Sequence, residues 1–220
     1  MKPSLLTRSL HLNLREAYGI AFAAHFALNK KRHAHALLRK GLKNRSLSAP
    51  FCTELFLHFS LLLGVPMMLE GLESVQSLSK QGRRKPKPIS PKGAFRRGKA
   101  ALKSIYGGQT EKLLQRLDNL HPGLARMVCT NAYGEILSRH GLSLRERELI
   151  NVTVLFLQQF DAQLYSHLRG AMRVGIAPST LRTLIRSLAR STRRPSAAAL
   201  AMIKAIAGLK STDNRYPASI

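Results

Sequence analysis

Acidic residues are scarce in this chain: 11 Asp and Glu stand against 36 Lys and Arg, a formal charge of +25. Tryptophan is absent, and few aromatic residues interleave with the cations. That argues against the stacking platforms used to bind single-stranded nucleic acid. The two cysteines, Cys52 and Cys129, lie far apart and form no CxxC pair. Their spacing excludes a disulfide framework and a zinc ribbon, and it suits reduced core thiols in a cytoplasmic protein. The eight histidines make no HExxH or comparable ligand pattern, so no metal and no cofactor is expected. No apolar run is long enough to span a bilayer. The longest, 55–69, is interrupted by His58, Ser60, Gly64 and Pro66 and falls short of the ~20 residues a span requires. The basic N-terminus has no continuous apolar stretch, which argues against a secretory signal.

What is abundant is positive charge, and it is unevenly spread. Between Lys80 and Lys103 there are ten Lys or Arg residues and no acid, with Pro86, Pro88 and Pro91 among them. By composition, 80–94 reads as an extended, solvated linker. It divides an N-terminal helical segment, 1–79, from a second helical domain, 95–210, and 211–220 is left as a tail. Arg182, Arg186, Arg190, Arg193 and Arg194 form a second basic stripe at helical spacing. Such surfaces steer anions, including nucleic acid. The plainer reading is a solvated helix face, since no nucleic-acid motif accompanies the charge.

Helical periodicity dominates, and strand-like alternation is hard to find. Ser143 followed by Glu146 makes a capping box that opens a helix from Leu144 to about Gln159. That helix is apolar on nearly every side and so belongs in the core. A turn at Phe160, Asp161 and Ala162 leads to a helix ending at Gly175, and Pro178 opens the next, from Ser179 to about Ala189. The N-terminal segment follows the same plan, with Asn44 near the place of Gly175, Pro50 answering Pro178, and Gly64 to Pro66 answering Arg193 to Pro195.

Within this plan Arg147-Glu148 precedes His167 by nineteen positions, and Arg15-Glu16 precedes His35 by the same interval. Buried carboxylates and imidazoles are costly unless paired or used, so the repeated interval suggests a site, Glu148 with His167, and a second pseudo-site, Glu16 with His35. An imidazole titrates near neutrality and suits general acid–base work. Counting residues along a hairpin of two helices leaves Glu148 and His167 offset by roughly 9 Å at ~1.5 Å per residue. A water, Gln163 or a neighbouring subunit would then bridge them. Gln163 lies one turn before His167, Arg169 could attract an anion, and Tyr133 could donate to a developing oxyanion.

The residues Arg97-Gly98, Tyr106-Gly107, Tyr133-Gly134-Glu135, Arg139 to Leu142, Arg147-Glu148-Leu149 and His167 to Ala171 resemble, in order and spacing, the carboxymuconolactone decarboxylase family of the alkyl hydroperoxidase D-like superfamily. The stretch LFLHFSLLLGVPMMLEGLESV of the N-terminal segment is similar to the later part of the same domain. The resemblance implies an all-α helical bundle, here built from two related repeats and assembled into homo-oligomers. It also implies either decarboxylation of a lactone acid with His-assisted proton transfer, or a thiol peroxidase activity dependent on a CxxC before the histidine. At the matching positions this chain carries Phe160 and Gln163, so no thiolate can form there. The usual aromatic and glycine before Pro195 are missing as well.

The expectation is therefore an oligomeric lyase acting on a small anionic carbonyl or lactone substrate, with Glu148 and His167 catalytic and Gln163, Arg169 and Tyr133 binding substrate. Two other readings compete with it. One is an inactive scaffold of the same fold. The other is a basic nucleic-acid-binding protein, the less favoured of the two; no membrane partner is expected.

Overall fold

A computed structural model describes residues 2–79 and 90–209, all in helices and the turns between them. The chain is an all-α bundle, and no strand occurs among the described residues. The helices are α1 (Pro3–Leu10), α2 (Leu14–Ala27), α3 (Lys31–Lys43), α4 (Ala49–Leu63), α5 (Val65–Leu78), α6 (Ala94–Tyr106), α7 (Thr110–Leu120), α8 (Leu124–Met127), α9 (Leu144–Gln158), α10 (Asp161–Arg173), α11 (Pro178–Thr192) and α12 (Ala197–Gly208). A 3-10 turn, Gly107–Gln109, precedes α7, and a π-helical stretch, Val128–Leu137, follows α8.

These elements form two compact units. The first combines helices α1–α5 with α9–α12, and the second holds α6–α8 and the π-helical stretch. The boundary expected from composition therefore differs from the compact units: 95–210 is not one of them, because α9–α12 pack with the N-terminal helices. Most of the linker, 80–89, and the tail, 211–220, lie outside the described residues.

In the first unit α2 and α9 are apolar on nearly every side and buried along most of their length, as expected of central helices. Apolar side chains of α1 and α10–α12, including Leu164, Leu168, Leu181, Leu184 and Ile203, cover one side of this pair. On the other side Phe22, Phe26, Leu55, Phe56 and Phe59 form the core with α3–α5. Phe56 meets Phe26 and Phe59 edge to face, with ring centroids 5.5 and 5.7 Å apart, a favoured aromatic geometry.

Both central helices begin with a full capping box. Asn13 accepts from the Glu16 amide at 2.9 Å while its own amide donates to Glu16 Oε2. Ser143 and Glu146 make the same exchange. Each boxing glutamate also receives an arginine from the other helix: Arg15 Nε donates to Glu146 Oε1 at 2.8 Å, and Arg145 Nε donates to Glu16 Oε1 at 2.7 Å. Residues 13, 15 and 16 thus correspond to 143, 145 and 146, a constant offset of 130. The plan expected from the sequence also places residues of positive φ after α4 and α11, Gly64 at 82° and Arg193 at 56°, here at an offset of 129. Asn44 departs from it: its φ is −89°, and the left-handed position falls to Arg45.

The second unit is held by close backbone contact. A Cβ on Gly98 of α6 would lie 1.9 Å from the Cys129 carbonyl oxygen, and one on Gly134 would lie 2.1 Å from that of Ala94. Only hydrogen at these two positions lets α6 and the π-helical stretch approach so closely. Arg97 ties the preceding turn to them, donating to the carbonyls of Ser90, Lys92 and Gly134.

Candidate functional site

The centre of the first unit holds a cluster of polar side chains on α4, α9 and α10. Glu148, on α9, is fully buried, and His167, on α10, retains 16% of its side-chain surface. His167 Nδ1 lies 2.9 Å from Glu148 Oε2. The contact is direct, without the bridging group that residue counting suggested. Packed helices cross at an angle, so equal numbers of residues from the turn do not mean equal heights.

Three further side chains complete the cluster. Asn151 lies one turn after Glu148 on α9 and donates through Nδ2 to Glu148 Oε1 at 3.2 Å. Its Oδ1 is 2.9 Å from Nε2 of His58, a fully buried residue of α4. His58 Nδ1 in turn lies 3.3 Å from Nη1 of Arg147, whose guanidinium is also buried. Burial first, and then the neighbouring Arg147 cation, push the His58 pKa down to about 3, so His58 is neutral at physiological pH. Its neutrality matters because a protonated ring would set a second buried cation against the Arg147 guanidinium, and like charges at that distance repel.

The other expected site residues fall in different surroundings. Gln163 is exposed one turn before His167, and Arg169 is half-buried two residues after it. Tyr133 belongs to the second unit, where its buried hydroxyl is 2.9 Å from that of Tyr106. Glu16 and His35 do not come together as a pair. Glu16 caps α2 and binds Arg145, whereas His35 Nε2 lies 3.2 Å from Glu70 Oε1. His35 borders a surface cleft of about 400 Å³ lined also by Lys31, Arg32, Ala36, Arg39 and Glu70.

The repeated nineteen-residue interval arises from the tandem Arg145-Glu146-Arg147-Glu148. The first Arg-Glu of that run, not the second, is the structural counterpart of Arg15-Glu16. At the offset of 130, Tyr18 stands opposite Glu148 and Leu37 opposite His167. At this offset the N-terminal segment has no equivalent of the buried acid and imidazole.

Sequence reasoning missed His58 and Asn151. Both carried a signal: each is a polar residue flanked by apolar ones, His58 by Leu57 and Phe59 and Asn151 by Ile150 and Val152, and Asn151 stands at i+3 from Glu148, where side chains share a face. Neither cysteine joins the cluster as a thiolate. Both are free and buried, and burial pushes the Cys52 thiol up to about 12. Among the described residues no group of His, Cys, Asp and Glu is arranged to hold a metal ion, and no helix is long and apolar enough to cross a membrane.

Residues 122–205 match the model of the carboxymuconolactone decarboxylase family. A segment of 81 residues is 32% identical to Peroxisomal protein 2 of Schizosaccharomyces pombe (strain 972 / ATCC 24843), covering 36% of this chain and 38% of that protein. The chain thus spans well under half the length of that relative.

Proposed function

We propose, from the match of residues 122–205 to the carboxymuconolactone decarboxylase family model, that this protein is a decarboxylase-like lyase in which His167 transfers a proton to a small anionic carbonyl or lactone substrate. One observation carries this reading: the buried Glu148 carboxylate lies 2.9 Å from Nδ1 of a partly exposed imidazole. A carboxylate at that nitrogen orients the ring and stabilises the imidazolium formed during proton transfer. Nε2 is then the nitrogen that works on substrate. In the decarboxylation, the carbon–carboxylate bond breaks and its electron pair stays on the substrate carbon; His167, first protonated at Nε2 by solvent to the imidazolium, delivers that proton there as carbon dioxide leaves and returns to the neutral Nδ1–H form.

The surrounding residues support this chemistry over the thiol route. Phe160 and Gln163 stand where a CxxC would be, so no sulfur is at hand for peroxide reduction. Gln163 and Arg169, on the helix that carries His167, are the groups proposed to hold the substrate, with the cation favouring an acid. Tyr133, bonded to Tyr106, is assigned no role in this mechanism. The buried free cysteines fit a reduced, cytoplasmic setting. Half-exposed Phe160, at the start of α10, suits a contact in a homo-oligomer.

The test is a screen of small carboxylated lactones and keto acids, following release of carbon dioxide by wild type, His167→Ala and Glu148→Gln. Loss of turnover in both variants is expected. Undiminished turnover in His167→Ala removes the role assigned to that residue.

A further inference from the structure

The hydrogen bonds around Glu148 have a direction, and it starts from a group that can only donate. A guanidinium carries five N–H donors and no acceptor. Its 3.3 Å contact with His58 Nδ1 therefore requires the lone pair on that nitrogen. The proton of the neutral ring sits on Nε2 and is donated to Asn151 Oδ1 at 2.9 Å. With its oxygen so engaged, Asn151 turns its amide nitrogen to Glu148 Oε1, 3.2 Å away. The remaining carboxylate oxygen, Oε2, accepts Nδ1–H of His167 at 2.9 Å. Asn151 Nδ2 is also 3.2 Å from His167 Nδ1, but two donors do not bond each other, so this is a packing contact within the cluster.

We propose that Arg147, His58 and Asn151 are positioning residues that set the direction of a buried hydrogen-bond chain and so hold His167 as its Nδ1–H tautomer, presenting Nε2 to the substrate. This deepens the function proposed above and rests on it for the identity of the proton-transferring atom. The four inner members, Arg147, His58, Asn151 and Glu148, are each at most 2% exposed. Water therefore offers no alternative partners that would let an amide or ring flip. Neutral His58 keeps the direction from reversing across the physiological range, because a protonated ring would meet Arg147 donor to donor. The arrangement also gives the N-terminal repeat a part in the site, since His58 comes from α4 while the other members come from α9 and α10.

The test uses the full-length chain labelled with nitrogen-15 at histidine. Long-range proton–nitrogen spectra distinguish protonated from unprotonated ring nitrogens, and His58→Gln and His167→Ala assign the two signals. Neutral His58 is expected to carry its proton on Nε2 and neutral His167 on Nδ1, opposite tautomers in one protein. His58 protonated at Nδ1, or His167 at Nε2, overturns the proposal. His58→Phe breaks the chain, whereas His58→Gln keeps one donor and one acceptor. The phenylalanine variant is expected to shift the His167 tautomer ratio by about tenfold, at the lower end of what outer partners of a functional imidazole contribute, and the glutamine variant to restore it. An unchanged ratio in His58→Phe overturns the proposal; if that variant does not fold, the wild-type spectra decide. Turnover lost in His167→Ala, together with an unchanged ratio in His58→Phe, retains the proposed function and removes the chain. The expected tautomers with undiminished turnover in His167→Ala leave the chain standing and remove the proton-transfer reading.

Discussion

Mild acid should destabilise this protein through His58, and the size of the effect follows from its burial. In the unfolded chain a histidine titrates near 6.5; in the folded protein burial, the Arg147 charge and the nearby His167 hold the His58 pKa at about 3. Between those values the unfolded state binds a proton that the folded state does not, so stability rises with pH throughout that window. The contribution is fully present above about pH 6.5 and is lost as pH falls, at about 1.4 kcal/mol per unit. At pH 5 the loss is about 2 kcal/mol, a large fraction of the 5–15 kcal/mol typical of a domain. Other groups titrate in the same range, so the measurement is a double difference: urea unfolding of wild type and His58→Gln at pH 7.5 and pH 5. Glutamine offers a neutral donor and acceptor and has no proton to gain. Wild type is expected to lose about 2 kcal/mol more than the variant on acidification. Equal losses would mean that the ring is charged or solvated in the folded state, and the assignment of its tautomer would fail with it.

Four other outcomes follow from the packing. Glu148→Gln should cost about 1–3 kcal/mol, because an amide nitrogen would replace one of the two carboxylate oxygens that face Asn151 Nδ2 and His167 Nδ1 and leave a buried donor facing a donor; no measurable cost by urea unfolding would refute that. Gly98→Ala would bring a methyl within 1.9 Å of the Cys129 carbonyl oxygen, and should lower the unfolding midpoint by the equivalent of about 1–3 kcal/mol, whereas an unchanged midpoint would mean that α6 and the π-helical stretch give way freely. Arg145→Ala and Arg15→Ala should each cost about 0.5–1 kcal/mol, because each removes a bridge between α2 and α9; no loss in either variant would contradict this. Cys52 and Cys129 are both buried, so a chromogenic disulfide reagent should label neither thiol in the native protein and both after denaturation, and rapid native labelling would place a thiol at the surface.

The secondary structure was legible because its signals are local. Ser143 and Glu146 mark the start of α9, Gly175 and Pro178 mark the turn before α11, and the all-round apolar character of α9 marks it as central. Glu148 and His167 stood out as two ionisable residues inside mostly apolar helices, but their direct contact was not legible, because residue counting leaves them roughly 9 Å apart at ~1.5 Å per residue. The unit boundaries were not. A run of prolines and cations locates a solvated connection, but it does not say which helices on either side pack together, and here α9–α12 join α1–α5. The second site misled for a related reason. A dipeptide repeated in tandem gives two registers two residues apart, and only the crossed arginine bridges to Glu16 and Glu146 distinguish them. His58 escaped notice because its partners lie 89 and 93 positions away, beyond any periodicity.

The register read from the crossed arginine bridges bears on how many sites one chain carries. Had Glu16 and His35 mirrored Glu148 and His167, the chain would carry two equivalent sites, and the N-terminal half would be a spare copy. Instead both halves keep the capping glutamate and the bridging arginine, which fix α2 against α9, and only the second half places an acid and an imidazole inside. Tyr18 and Leu37 occupy the matching positions in the first half, and Tyr18 is buried in an apolar cluster. The first half contributes His58 instead, a neutral ring that links the Arg147 cation to the amide holding Glu148. One chain should therefore bind one equivalent of substrate analogue, measured by calorimetry. His35→Ala should leave that stoichiometry and the turnover unchanged, because His35 engages Glu70 and Ser74 at the surface of α3 and α5. Two equivalents per chain, one of them lost in His35→Ala, would restore the duplicated site and refute the register drawn from the arginine bridges.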